Sequence, residues 1–288
     1  MTASAPSTRS YRSDVWRFSR RNLSLAIGVV LVATLAAAAL LAPWLATTDP
    51  TLAQSDAVLL GPSARFFFGT DSNGMDVYSR VLYGARFGFL IGLPSVAVML
   101  AAGIPIGLIA GYIGGWPDEL LTRAMDLLRA FPTIVFALAL VAAVGHSLLT
   151  IILIIGLLDA PLFARLVRSE VLALRRGTLV EAALVAGNPH WRIMLRHLLP
   201  ISLESTGALA ALRMAWAIRI TATLSFIGVG IQPPTPEWGA MIRLGAEHIV
   251  TGKWWVVIFP AGALVLLVLG FNLIGRGLSD ALRGRKGA

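Results

Sequence analysis

Six apolar stretches run through the chain, at about 23–46, 87–112, 121–144, 148–164, 201–226 and 255–274, each near the roughly 20 residues that a helix needs to cross the hydrocarbon core of a bilayer. Inside lipid a backbone must satisfy its own hydrogen bonds, so such stretches fold as helices. The expected fold is all-α and polytopic, with six transmembrane helices. Composition agrees: 57% of the 288 residues are hydrophobic and 14% charged, with a mean hydropathy of +0.77. That is more apolar surface than a soluble enzyme of this length can bury, and the opposite of the balance that sustains disorder. The chain has no cysteine, which excludes disulfide frameworks, Cys-ligated zinc, iron–sulfur clusters and thiol catalysis. The basic segment before the first stretch (Arg9, Arg12, Arg17, Arg20, Arg21) resembles the start of a signal peptide, but the stretch is too long and lacks a clear cleavage site, so it is read as a retained span.

The formal charge is +9, and its placement sets orientation, because cytoplasmic connections retain Lys and Arg. In alternate connections, seventeen basic residues fall on one side: the N-terminal five, Arg123 and Arg129, six between Arg165 and Arg196, and Arg276, Arg283, Arg285 and Lys286. Five fall on the other, Arg65, Arg80, Arg86, Arg243 and Lys253, while Arg213 and Arg219 lie inside the fifth stretch. Both termini are expected in the cytoplasm, with tails at 1–22 and 277–288, a transmembrane domain at 23–276, outer loops at 47–86 and 228–254, and an inner loop at 165–200. Basic clusters between apolar runs orient helices in membrane lipid, and nucleic acid is not an expected partner. Trp238, Trp254 and Trp255 are placed near the outer interface, where an indole keeps its N–H in water.

The inner segment 175–200 encodes two short helices and a corner. Thr178 with Glu181 three residues on has the pattern of a capping box. Gly187 suits the left-handed residue that ends a helix, Asn188 suits the next cap, and Pro189 the first position after it. Ala182, Ala183 and Ala186 keep the elbow's surface small, as a docking knob requires. The alternative is an amphipathic connector with Trp191, Ile193 and Leu195 among lipid headgroups. His190 and His197 share a face, but two histidines without a carboxylate do not make a metal site, and no metal is expected.

Glu181-Ala182-Ala183, then Gly187, then Leu199-Pro200 resembles the EAA loop of bacterial ABC importer permeases. Further segments are similar to the C-type permease of dipeptide, oligopeptide and nickel importers: Phe68-Gly69-Thr70-Asp71 with Gly74 and Asp76, Ser79-Arg80, Gly84-Ala85-Arg86, Gly111-Tyr112-Ile113-Gly114-Gly115-Trp116 with Asp118, Arg123 and Asp126, Phe131-Pro132, Ala164 to Arg168, Leu224 to Gly230, and Glu237-Trp238-Gly239. Departures fall at Met75, where Arg is usual, at Ala160 and Phe163, and at Thr221, where an acid often stands. The resemblance runs from about Leu23 to Arg283. It implies the type I importer (MetI-like) fold in a bacterial inner membrane. The implied assembly has a second, similar permease as heterodimer partner, two ATPase subunits or domains, and an external solute-binding protein. It further implies that the chain binds no cofactor, ATP and Mg²⁺ being held by the ATPases. Glu181, Ala182, Ala183, Gly187, Leu199 and Pro200 would couple to the ATPase, and Asp71, Asp76, Glu237 and Trp238 are candidate contacts for the binding protein. The implied cargo is a dipeptide or oligopeptide, with glutathione or a nickel chelate as alternatives.

Other classes fit less well. The chain lacks the G-x-x-x-x-G-K-[ST] loop whose amides cradle phosphate, so it has no ATP site of its own. His146-Ser147 are neighbours at the end of a stretch, where they do not face each other as a nucleophile and base must, so no catalytic residue is assigned. A passive channel would also use six spans, but would not need an elbow between the fourth and fifth. Arg213, Arg219 and Asp159 are candidate pathway residues, because an ionisable group inside a membrane costs a few kcal/mol unless it meets a partner or water.

Overall fold

The computed structural model describes residues 23–286, with side chains through Leu282; the basic segment Arg9–Arg21 and the side chains of Arg283, Arg285 and Lys286 lie outside the described residues. Helix α1 (Leu23–Leu45) is apolar from end to end. It packs against α10 (Trp255–Lys286) through facing glycines, where a Cβ on Gly28 would stand 2.7 Å from the Gly270 carbonyl oxygen. α10 runs on past residue 276, so the expected C-terminal tail is helical as far as Lys286.

Helix α2 (Val77–Ile113) begins ten residues before its apolar stretch. Asp76 caps it, its carboxylate accepting the Ser79 N–H at 2.9 Å, and such a side-chain cap satisfies a donor that the first turn leaves orphaned. Its 37 residues span about 55 Å, more than a membrane crossing needs, so its first turns stand in the outer loop region. α2 pairs most extensively with α5 (Leu148–Leu174). Gly103, Gly107 and Gly111, spaced by four, turn one face of α2 into a groove. An added Cβ would lie 2.7 Å from the Ala160 oxygen at Gly103 and 2.5 Å from the Ala164 oxygen at Gly107.

The third apolar stretch is not one helix, which corrects the sequence expectation. It is α3 (Gly115–Ala130) and α4 (Thr133–Val144), bent by 87°. Proline disfavours helical geometry in the residue before it, and Phe131 accordingly sits at φ −89° and ψ 141° ahead of Pro132. Among the described residues five helices are long and apolar enough to cross a membrane, and six spans result if the bent pair counts as one. α5 also outruns its apolar stretch by ten residues. Arg165 and Arg168 end the hydropathy signal but not the helix, because they pair with Asp126 (3.1 Å) and Asp118 (2.7 Å) on α3.

After α5 come the short α6 (Thr178–Val185) and α7 (His190–Ile193), a π-helical turn (Met194–Leu198), α8 (Leu199–Ile227) and α9 (Trp238–Ala246). Among the described residues the one β pairing is an isolated bridge between Thr70 and Asp76. The main core fills the helix bundle, and a second, smaller core lies under the elbow.

Candidate functional site

Three places hold the chemistry: the elbow, an ion pair halfway along the bundle, and a cap formed by the two outer loops.

At the elbow, α6 is capped by Gly177 in extended geometry (φ −90°, ψ 161°), without a side-chain hydrogen bond. Thr178 is therefore already helical and Glu181 falls one position beyond the capping-box partner, so that box does not form. The C-terminal end follows the sequence: Gly187 has φ +75°, its N–H donates to the Leu184 oxygen at 2.9 Å, and the Asn188 N–H to the Ala183 oxygen at 3.1 Å. This is the paired arrangement that a left-handed residue permits. Asn188 also donates from Nδ2 to Ala183 (3.1 Å), so it seals the first helix rather than capping the second, and Pro189 occupies the cap itself. Glu181, Ala182, Ala186 and Gly187 are exposed, Pro200 is exposed and Leu199 half-buried. Ala183 is buried beside Val180 in the elbow's own core, so it belongs to the interior and not to a docking face. Ile193 is buried too, which leaves Trp191 and Leu195 as the outward apolar residues of that turn. His190 bonds to the Tyr112 hydroxyl. No group of three or more His, Cys, Asp or Glu capable of holding a metal occurs among the described residues.

Halfway along the bundle, Arg213 Nη1 donates to Asp159 Oδ2 at 3.2 Å. Arg213 sits fourteen residues from either end of α8, about 21 Å along a helix rising 1.5 Å per residue, and Asp159 is 8% exposed. Arg219 is exposed and points elsewhere, as six residues of helix, about 120°, require. Arg129, in the last turn of α3 just before the break, is exposed.

The two loops expected on the outer side, 47–86 and 228–254, fold onto each other. Arg80, 1% exposed, donates from Nη1 to the carbonyl of Pro50 (2.8 Å) and to that of Pro234 (3.0 Å), tying 47–86 to 228–254. Asp71 lies 3.4 Å from its Nε, and Met75 Sδ packs 2.8 Å from Nη1. Asp76 accepts Thr47 Oγ1 (2.7 Å) as well as the first turn of α2. Glu237 caps α9, accepting the N–H groups of Gly239 (3.0 Å) and Ala240 (2.9 Å); burial pushes its carboxyl above the usual range, against those donors. Trp238 donates to the Val81 oxygen at 3.1 Å, and Trp255 to the Thr70 oxygen at 3.1 Å. Asp71, Asp76, Glu237 and Trp238 are thus all buried. They hold the cap together and present no surface to a docking protein, which corrects their expected role. Trp255 is likewise a buried strut, whereas Trp254 is exposed.

Residues 103–286 match the family described as binding-protein-dependent transport system inner membrane component, and residues 10–62 match the N-terminal transmembrane domain of oligopeptide transport permease C. The dipeptide transport system permease protein DppC of Alkalihalophilus pseudofirmus is 40% identical over 269 residues, covering 93% of this chain and 88% of that protein. The probable D,D-dipeptide transport system permease protein DdpC of Escherichia coli K12 is 38% identical over 273 residues, 95% and 91% of the two chains. The glutathione transport system permease protein GsiD of Pectobacterium atrosepticum is 40% identical over 281 residues, 96% and 92%.

Proposed function

The chain belongs to the family of inner-membrane components of binding-protein-dependent transport systems, and from that premise we propose that it forms half of an ATP-driven import pathway for short peptides. It is a multi-pass bacterial inner-membrane permease of the ABC importer type, a family that works with ATPase subunits and a binding protein. The short-peptide cargo is inferred from relatives named for dipeptides and for glutathione at equal identity. In this reading the pathway is completed by a second, similar permease. Both termini lie in the cytoplasm. The chain itself does no chemistry, since ATP and Mg²⁺ are bound by the ATPases.

The observation that carries the proposal is the elbow: a knob with Glu181, Ala182, Ala186 and Gly187 turned outward, stiffened by its own core. ATP-driven closure of the ATPases moves the knobs and rocks the two permeases against each other, as alternating access requires. Arg213 and Asp159 line the pathway, Arg219 lying about 120° round the helix from Arg213, and the outer cap receives the binding protein through its exposed surface. In each state the chain contributes the relative stability of two packings.

Two measurements test this. Proteoliposomes holding the permease pair, ATPases and binding protein take up labelled dipeptide against unlabelled oligopeptide, glutathione or a nickel chelate. Competition by the peptides supports the assignment, and competition by the chelate alone overturns it. A cysteine at Val250, which is 93% exposed, labels with an impermeant thiol reagent from outside; labelling from the cytoplasmic side alone inverts the topology.

A further inference from the structure

The elbow touches the bundle through two unlike contacts. One is the small core, where Val180, Ala183, Ile193 and Leu198 close over Leu108 of α2 and Val167 and Val171 of α5. The other side is a cavity of about 490 Å³, so packing does not fix the elbow there. One polar contact spans that gap, and a second ties the end of α5, where the elbow begins, to α2. The Tyr112 hydroxyl and His190 Nδ1 are 2.7 Å apart, joining the last turn of α2 to the first residue of α7. Arg175 Nη1 donates to the Gly111 oxygen at 3.3 Å, and a Cβ on Gly114 would stand 2.7 Å from that nitrogen.

We propose that Tyr112, His190 and Arg175 are positioning residues that latch the elbow to α2, so that displacement of the knob is delivered to the α2–α5 pair instead of being lost as local tilting. Without the latch the elbow is held on its core side alone, and the cavity gives it room to swing. With it, three chain segments move together: α7 through His190, the end of α5 through Arg175, and α2 through Tyr112 and Gly111. The glycine seam then makes α2 and α5 one body, and α5 carries Asp159, whose partner Arg213 stands on α8. The π-helical turn at Met194–Leu198 joins the latched segment to α8; such turns are rare and gather at functional positions.

The inference rests on reading the elbow as the ATPase docking site, and the test separates the two. In proteoliposomes with the whole complex, peptide imported per ATP hydrolysed is measured for Tyr112→Phe, His190→Ala, their double variant and His190→Asn. Each of the first two lowers the ratio by about two- to tenfold, the population shift that one net hydrogen bond supports, while the ATPases still co-purify. The double variant falls no further than the singles, because both remove one bond. His190→Asn, which returns an acceptor close to the position of Nδ1, recovers most of the ratio. An unchanged ratio in both single variants on complexes that retain their ATPases overturns the latch alone, as does a double variant equal to the product of the singles. A wild-type permease that retains no ATPase overturns the docking reading instead.

Discussion

Replacing Arg80 by alanine unties the outer cap, and the size of the effect follows from what the guanidinium holds. It donates to carbonyls of both outer loops, Pro50 at 2.8 Å and Pro234 at 3.0 Å, and faces Asp71 across 3.4 Å, with side chains 2% and 8% exposed. Hydrogen bonds from a charged donor contribute about 1.5–3 kcal/mol each. Removing one member of a buried pair costs about 3–5 kcal/mol because the survivor keeps its desolvation penalty. Asp71 retains the N–H groups of Asn73 (2.8 Å) and Met75 (3.0 Å), so the two terms do not simply add, and 3–5 kcal/mol is the expected loss in cap stability. Amide hydrogen exchange reads that loss directly. Exchange through cap opening accelerates by about 150- to 5,000-fold, a factor of ten for each 1.36 kcal/mol, or to the fully open rate. The effect appears at 57–75 and 230–241, and amides of the α2–α5 seam at 103–111 serve as the internal control. Arg80→Lys keeps the charge but not the planar fork, and falls between. Loop amides in Arg80→Ala that stay within about threefold of wild type would refute the assigned role, because no charge-assisted bond of the stated strength would then have been lost.

Gly187→Val places a β-branched residue at φ +75°, a geometry that costs about 1–2 kcal/mol for an L-residue. No atom lies within 4 Å of the new Cβ, so the defect is backbone strain, and ATPase-coupled uptake falls more than with Gly187→Ala. Gly107→Leu drives a side chain into the Ala164 backbone, with a Cβ 2.5 Å from its oxygen, and abolishes a monodisperse peak in size-exclusion chromatography, whereas Gly262→Ala, with open space around it, leaves the peak unchanged. Asp159→Ala leaves Arg213 without its 3.2 Å partner and lowers uptake. Recovery in the swapped pair Asp159→Arg with Arg213→Asp identifies a structural pair, and loss in Arg213→Ala alone identifies contact with cargo.

Hydropathy located the starts of α5 and α10 at Leu148 and Trp255, because lipid-facing apolar length is a local property of the chain. It missed the first ten residues of α2, where Arg80 and Arg86 interrupt the apolar signal, although Asp76 and Ser79 three apart already had cap spacing. It carried the third span across Phe131-Pro132, since a window average does not register a single backbone break. Gly187 was legible because a left-handed residue leaves a mark in the sequence. The capping box was not, because Gly177 takes the cap one residue earlier. The outer acids misled for a different reason. A polar residue in a loop reads as surface, and Asp71 and Asp76 are met by Arg80 and Thr47, Arg80 being held in turn by a carbonyl 154 residues away, contacts that only the assembled fold brings together.

The central claim is that this chain is half of a pathway driven by ATP hydrolysed on other subunits. The most direct measurement is the internal concentration of labelled peptide in proteoliposomes that hold the permease pair and its ATPases, with binding protein outside and ATP inside. The account predicts accumulation above the external concentration that stops when this chain, the binding protein or ATP is left out. Entry that merely equilibrates, at the same rate with and without ATP, would contradict it and make the chain a passive channel.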